Sequence, residues 1–586
     1  MIKTLGLGWL IYLSQEELIA RQMAYHRPQK LALKLQVRTR FPSGPTESRS
    51  KTHALKLLYL DWNTRSEFFK FTRGRFVVDE DANLKKREVV FDMNALVKVA
   101  ADAVGAEQCV DVRKFSDGMF NKACLMRMDD GREVVAKVPN PNAGRAFYTT
   151  ASEVATMDFA RRVLDTPAPR VYAYNSQAQS HAVGAEYIIM EKAQGVPLSL
   201  VWDKLALPQK LHVLLALVQI QKRWLSISFS HYGGLYYAKD IPSSCEASHY
   251  VQDGVVVKDS EFVVGPATGR DWYDAGRAGL DIERGPWSEL SQYLRSIGER
   301  ETKAIQMLGD PPKQIALFCG PKLYQPDQKE KLTALAQYRR ILNTILPGKK
   351  TIRDPYLWHN DLHDDNIFVD ATNPGKITSI IDWQSCHISP LFNHNADPAF
   401  LDWEGDEPEN LDLVPTPDLS GLSPAEKSAA VRNHAHVNIF LAWRKLLRSK
   451  NPALFDVTEY RKTGEWGLIF LAHRMYEYGE AHFQSLLVDL KDTWPTGGGQ
   501  GLFPVVFKEE EVERIKARSD GAVAATDLVT QVKEAMGELW PDKGLIEHER
   551  YDACRAALQE MKEKMIEELA ENEEERAEYE RYWPFD

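Results

Sequence analysis

Cysteine is scarce in this chain. Six cysteines in 586 residues (Cys109, Cys124, Cys245, Cys319, Cys386, Cys554) lie far apart, with no C-x-x-C pair. That spacing excludes a disulfide framework and a cysteine zinc site, and it fits a reducing compartment. Long apolar runs are missing too. A membrane-spanning helix needs about 18–20 apolar residues, and the longest candidate, LGLGWLIYL at Leu5–Leu13, falls well short. It follows Lys3 as a signal-peptide core would, but Gln15-Glu16-Glu17 stands where a small-residue cleavage site belongs. Nor is positive charge in excess. The formal net charge is −10, so a globally basic surface for nucleic acid is unsupported. There is no internal repeat and no strong low-complexity tract.

What is present is ordinary for a globular protein: 44% hydrophobic and 27% charged residues. Length alone would suggest several domains. Residues 21–51 are rich in Arg and Lys and nearly free of acids, a composition that suits a mitochondrial presequence; a poorly ordered extension is the alternative. Residues 1–52 are therefore expected to be an N-terminal extension, with a mitochondrial location expected and a cytoplasmic one as the alternative. Residues 53–104 form a helical or loop extension. Over 105–195, CVDVRKF, KACLMRM and REVVAKV read as strands, TTASEVATMDFARRVL as a helix, and VYAYN and EYIIMEK as two more strands. This predicts a small antiparallel sheet with one helix against it.

From 196 to 586 helical periodicity dominates, in LPQKLHVLLALVQIQKRWLSI, KEKLTALAQYRRILNTIL, AHVNIFLAWRKLL and WGLIFLAHRMYEYGEAHF. Residues 230–287 read as a loop-rich insertion. NIFVD and KITSIIDW flank a turn and predict a β-hairpin. The acidic run near the C-terminus reads as a helix with a solvated face.

The densest chemistry lies in WHNDLHDDNIFVD, Trp358–Asp370. His359, Asp361 and His363 offer nitrogen and oxygen ligands for a transition metal. The same residues also fit phosphoryl transfer, which needs one carboxylate on the acceptor hydroxyl and hard oxygen ligands on Mg²⁺. In that reading the H-x-D-x-x-x-x-N spacing supplies Asp361 as base and Asn366 as metal ligand. The hairpin then brings Asp382 beside Asn366. A polar loop whose Asp and Asn cap local backbone is the bland alternative.

The upstream sheet favours phosphoryl transfer. Lys137 is a single ammonium in the apolar strand REVVAKV, where a lone Lys ordinarily snorkels outward. Glu153 in the following helix is positioned to pair with it and hold it toward donor phosphates. Between the first two strands, Gly118 in SDGMFNK allows backbone amides to approach phosphate, beside Asn121.

FSDGMFNKACLMRMDDGREVVAKVPNP, YTTASEVATMDFARRVL, GAEYIIMEKAQGVPL, WHNDLHDDNIFVD and IIDWQSCHISPLF occur in an order that resembles the aminoglycoside phosphotransferase-like branch of the protein kinase-like fold. GPATGRDWYDAGRAGLDIERGPW and PLFNHNADPAFLDW are similar to blocks of its fungal subgroup typified by altered inheritance of mitochondria protein 9. The resemblance implies an α+β bilobal fold: a small antiparallel N-lobe sheet and a larger, mainly helical C-lobe. It implies ATP and Mg²⁺ as cofactors, Lys137 on donor phosphates held by Glu153, Asp361 as catalytic base, and Asn366 and Asp382 as metal ligands. Met190, Glu191 and Ala193 would be hinge residues meeting adenine, with Gly118 and Asn121 in the phosphate loop, and His359 would order the catalytic loop. Asn360 stands where protein kinases carry Arg, and Trp383-Gln384 where they carry Phe-Gly. Ser116-Asp117-Gly118 replaces paired glycines, and Asp117 would repel a triphosphate unless turned away.

The leading expectation is thus a Mg²⁺-ATP-dependent phosphotransferase acting on a small-molecule hydroxyl. Asp271, Trp272, Asp281 and Arg284 of the insertion are candidate acceptor contacts. A kinase-like scaffold with a mitochondrial maintenance role and no turnover is the alternative, and a metal hydrolase on His359, Asp361 and His363 a third.

Overall fold

The computed structural model describes residues 61–586 except 242–247, 312, 314, 402, 404–409 and 495–501. The expected presequence, residues 1–52, and Cys245 lie outside the described residues. The other five cysteines are free thiols.

A short strand β1 (Arg75–Phe76) precedes the main N-lobe sheet, which comprises β2 (Cys109–Lys114), β3 (Asn121–Met128), β4 (Glu133–Pro139), β5 (Val171–Asn175) and β6 (Tyr187–Glu191) in the order β2-β3-β4-β6-β5. All neighbours are antiparallel. Side chains alternate across a strand, so Val134, Ala136 and Val138 of β4 share one face. There they pack with Met126, Met128 and Ile189 against Met93, Leu96, Val97 and Ala100 of the helix Met93–Val104. Lys137, out of phase with these valines, is sent to the opposite face. The helix Tyr148–Arg162 packs against β5 and β6 on the sheet side and against the strand Gly234–Tyr237 of the insertion on the other. It is therefore buried on nearly every side, Glu153 included.

The connection to the C-lobe holds β7 (Val196–Pro197). The 230–287 region is loop-rich, as expected, and its loops are pinned by short strands. β8 (Ile227–Phe229) pairs with β10 (Tyr250–Gln252), β10 with β11 (Val255–Val257), and β9 (Gly234–Tyr237) with β12 (Phe262–Gly265). Runs of three or four residues carry too little alternation to register as strands in a sequence.

The helices Leu207–Trp224 and Pro424–Lys450 enclose one C-lobe core, and Leu290–Met307, Gln328–Ile341, Gly464–Ala472 and Ala481–Asp492 a second. The run WGLIFLAHRMYEYGEAHF, expected as one helix, breaks at Arg474 and Gly479. Gly479 has φ 84°, and a Cβ there would meet Tyr324 Oη at 1.8 Å. The acidic C-terminal run forms two helices, Tyr551–Leu569 and Glu573–Tyr582, with Asn572 capping the second. Its charges do face solvent, but Cys554, Leu558, Met565, Ile566 and Tyr579 are buried with Val77, Trp540 and Trp583. The stretch WHNDLHDDNIFVD is framed by β13 (Pro355–Trp358), the hairpin β14 (Ile367–Val369) and β15 (Ile377–Ile380), and β16 (His387–Pro390). Finally β17 (Leu545–Ile546) returns to pair with β1. The result is an α+β, bilobal, protein kinase-like architecture: an antiparallel N-lobe sheet on a mainly helical C-lobe.

Candidate active site

Every residue of β13 is buried, and β13 pairs with β16, so the loop that follows it starts from a fixed point. His359 is the next residue and is 1% exposed. Its Nδ1 accepts from the Asp361 N–H (3.3 Å), which makes Nε2 the protonated nitrogen that donates to the Ile381 carbonyl (2.9 Å). Burial lowers its pKa, so the ring stays neutral. Both nitrogens are used inside the loop. The transition-metal reading of His359, Asp361 and His363 therefore loses its first ligand. Among the described residues, the side chains that do cluster with metal-ligand spacing are His363, Asp364 and Asp365.

Asn366 donates from Nδ2 to the Asp361 carbonyl (3.0 Å) and carboxylate (3.3 Å). These bonds fix the amide so that Oδ1 is left as the acceptor. Its own carbonyl receives the Ile381 N–H (3.0 Å), which ties the two arms of the hairpin one residue before Asp382. Asp382 has φ 62°, in the left-handed region that Asp tolerates better than most residues. Its Oδ1 accepts from Lys137 Nζ at 2.7 Å, and Glu153 Oε1 accepts from the same ammonium at 2.6 Å.

Electrostatics distinguish the two aspartates. Burial and the neighbouring Asp382 carboxylate push Asp361 up to about 6. Partial desolvation opposes charge on Asp382, whose side chain is 40% exposed, but the Lys137 ammonium outweighs it and holds that carboxyl below its ordinary value. Lys137 itself is desolvated, yet Asp382 and Glu153 keep its pKa raised. Two carboxylates are thus driven in opposite directions by their surroundings, one toward a proton acceptor near neutrality and one toward a permanent anion.

The loop before β3 turns its acid inward. Asp117 is 2% exposed, pairs with Lys114 (2.6 Å) and Lys122 (3.4 Å), and accepts from Thr72 N and Oγ1. The repulsion expected toward a triphosphate is removed. Gly118 closes the turn by donating to the Asn121 carbonyl (3.2 Å). Its φ is not positive, and an added Cβ would meet only that carbonyl oxygen, at 3.6 Å. Asn121 is brought to the cleft, but its amide is engaged reciprocally with that of Gln384 (3.0 and 3.1 Å), so it bridges the lobes. At the hinge, Met190 packs against the C-lobe core. The Glu191 N–H donates to Arg170 O, and its carboxylate accepts from Arg170 N and Arg161. Ala193 follows in the connection to β7. The Glu191 side chain is therefore committed to Arg170 and Arg161, away from any ligand role.

The insertion residues nominated for the acceptor serve mainly its own packing. Asp271 pairs with buried Arg300 (2.5 Å), Trp272 stacks near Trp287, and Arg284 donates to the carbonyls of Arg277, Leu280 and Ile282, while Asp281 is exposed.

Residues 308–393, the span holding Asp361, Asn366 and Asp382, match the model of the phosphotransferase enzyme family, APH. A subtelomeric hrmA-associated cluster protein of Aspergillus fumigatus is 30% identical over 465 residues, 73% of this chain and 88% of that one. The chain belongs to the phosphotransferase enzyme family. Further relatives of this family member are named altered inheritance of mitochondria protein 9, mitochondrial. The one from Yarrowia lipolytica is 24% identical, covering 77% of this chain and 80% of its own. That from Saccharomyces cerevisiae is 22% identical, covering 77% and 83%. Among solved structures, the ADP-bound aminoglycoside phosphotransferase APH(2″)-Ib is similar at 11% identity and TM-score 0.30 over 74% of this chain and 99% of that one. An amicoumacin kinase in complex with AMP-PNP is similar at 14% identity and TM-score 0.31, over 74% and 95%.

Three residues of this family member escaped the sequence reading. Gln384 and Arg270 each bridge the lobes, Arg270 by stacking on Phe120 of the glycine loop (3.6 Å) while donating to Asn142 O and Asp274. Lys543 arrives from the far C-terminal region and bears electrostatically on Asp361. No local motif marks any of them.

Proposed function

We propose that the protein transfers the γ-phosphoryl group of ATP to a hydroxyl of a small molecule, with Mg²⁺ as counter-ion. The reading rests on one observation: Lys137, held by Glu153 in the N-lobe, meets Asp382 across 245 positions of sequence, at the end of the hairpin that follows the loop of Asp361 and Asn366. Such a set supplies the parts that phosphoryl transfer needs, namely positioning and charge neutralisation around a base. Lys137, held by Glu153, binds the donor phosphates. Asp382 and the Asn366 Oδ1 fit a hard divalent cation, since both present oxygen and the amide is locked in that orientation. Bound there, Mg²⁺ would neutralise the donor phosphates.

Asp361 accepts the acceptor's hydroxyl proton on its carboxylate. The acceptor oxygen bonds to the γ-phosphorus as the bond to the β–γ bridging oxygen breaks, and ADP leaves with that electron pair. His359 is a positioning residue that ties the loop of Asp361 to the strand end before Asp382. Met190, Glu191 and Ala193 present backbone to adenine, and Gly118 leaves room above the phosphate loop. A mitochondrial location is proposed with this activity, supported by the basic, acid-poor residues 21–51 and by the names of the relatives.

Calorimetric titration of ATP with and without Mg²⁺, beside Asp382→Ala, tests the donor half. Mg²⁺-dependent binding that the variant loses is expected. Absence of nucleotide binding by the folded wild-type chain would overturn the proposal.

A further inference from the structure

Between β2 and β3 the phosphate loop runs from Phe115 to Phe120, and its exit is tied to the C-lobe at consecutive residues. Asn121 and Gln384 exchange two amide hydrogen bonds (3.0 and 3.1 Å). The Arg270 guanidinium lies 3.6 Å from the centre of the Phe120 ring and donates to the Asn142 carbonyl (3.0 Å). Met119 and Phe120 pack with Leu545 of β17, which pairs antiparallel with β1. Gly74 permits that pairing, because a Cβ there would meet the Ile546 oxygen at 2.4 Å.

Strand phase places the amide pair beside the donor residues. Ala123 of β3 stands opposite Lys137 of β4, and directly opposed residues of an antiparallel pair share a face. Asn121 lies two residues before Ala123 and so projects from the same face as Lys137. Below, Asp382 and Gln384 flank Trp383, which is 1% exposed and donates from Nε1 to the Ile380 carbonyl (2.9 Å). Two ties therefore join one sheet face to one three-residue segment: Lys137 to Asp382 (2.7 Å) and Asn121 to Gln384.

The ties differ in strength. Lys137–Asp382 joins an ammonium to a carboxylate and is charge-assisted. Asn121–Gln384 is neutral and half-buried, and such bonds contribute only modestly against water. The C-lobe side of the loop is stiff by comparison. Arg270 is held by Asp274 (3.1 and 2.8 Å), and its neighbour Asp271 by buried Arg300. An easily opened bond between a loop and a stiff floor suits a gate.

We propose that the Asn121–Gln384 amide pair is a latch on the donor-phosphate compartment, holding the phosphate loop down and setting the rate at which nucleotide enters and leaves. This rests on the phosphotransferase reading above and deepens it. Phosphates on Lys137 lie between the two ties, so the loop releases Gln384 before nucleotide passes. Asn121 and Gln384 are positioning residues that act on the nucleotide through the loop.

The test follows binding and release of N-methylanthraniloyl-ADP with Mg²⁺ by the full chain in stopped flow. Q384A should raise the association and dissociation rate constants alike, each by about fivefold or more, because an unlatched loop admits and releases nucleotide equally. Loss of a mere nucleotide contact would speed release and leave association unchanged. N121A should match Q384A, and N121A/Q384A should go no further than either alone. The exchange N121Q/Q384N keeps the summed length of the two side chains and should return both constants to within about twofold of wild type, which damage to the fold would not do. Unchanged association in Q384A, additive effects of the two single variants, or an exchange variant as fast as Q384A would each overturn the proposal. The wild-type titration, run first, keeps the readings apart. If nucleotide binds and Q384A matches wild type, only the latch falls. If the folded wild type binds no nucleotide, the phosphotransferase reading falls and takes the latch with it.

Discussion

Replacing Lys137 by Met removes the one cation that two carboxylates share. Glu153 is 3% exposed and Lys137 6%, so the pair lies in a medium where an orphaned charge is expensive. Breaking a buried pair by deleting one partner costs roughly 3–5 kcal/mol, whereas replacing both by apolar groups is close to neutral. Asp382 opens onto the cleft, with its side chain 40% exposed; solvent screens it, and it adds little. Burial already raises the Glu153 pKa, so the abandoned carboxyl escapes part of the penalty by taking a proton. The lower end, about 3 kcal/mol, is therefore expected. K137M/E153L should lie within about 1 kcal/mol of wild type.

The sign with pH follows from linkage. In K137M the folded state binds a proton on Glu153 that the unfolded state has released, so stability falls as pH rises through the neutral range and recovers toward pH 5. A chain of two lobes has no single unfolding free energy, so the assay is hydrogen exchange at the β4 amides, which reports the opening of that sheet. If the single and double variants lose equal protection, the pair does not act as a buried ion pair and the reasoning is refuted.

The pH–rate profile of phosphoryl transfer should rise through about pH 6, because Asp361 must be ionised to accept a proton and its carboxyl is pushed up to about 6. D361N should cut the rate by roughly 10²–10⁴-fold and stabilise the fold at pH 8, where the wild-type carboxylate is held charged against its surroundings; a rate flat from pH 5 to 7 would refute the assignment. G118A should leave the fold at least as stable, since φ is ordinary and the nearest atom to a new Cβ is 3.6 Å away. The same variant should weaken ATP binding, measured by calorimetry, and unchanged affinity would remove Gly118 from the phosphate site.

Much of the candidate site was legible because its pieces are local. Asp361 and Asn366 share one loop, so their spacing is already their geometry, and the hairpin to Asp382 is announced by its turn. The strand period alone separates Lys137 from Val134, Ala136 and Val138. Hidden features depend on approach between distant segments. The inward turn of Asp117 depends on Thr72 and Lys122, and the helix break at Gly479 on the ring of Tyr324. Asn121 reads as a ligand contact until Gln384, 263 residues away, is seen to occupy its amide. Lys543 sits in an unremarkable Pro-Asp-Lys-Gly turn, and only the pairing of β17 with β1 carries that turn to the loop of Met119 and Phe120.

That pairing joins residues about 470 positions apart, which orders events during synthesis. A ribosome adding about 5–20 residues per second releases the N-lobe sheet long before β17 exists. The sheet, its covering helix and the Lys137–Glu153 pair can assemble early, while the wall beside the phosphate loop waits for the last stretch of chain. The nascent protein thus passes through a stage in which Phe71, Phe76 and Met119 lack Leu545 as a neighbour. Its cleft is finished only when the two remote strands meet.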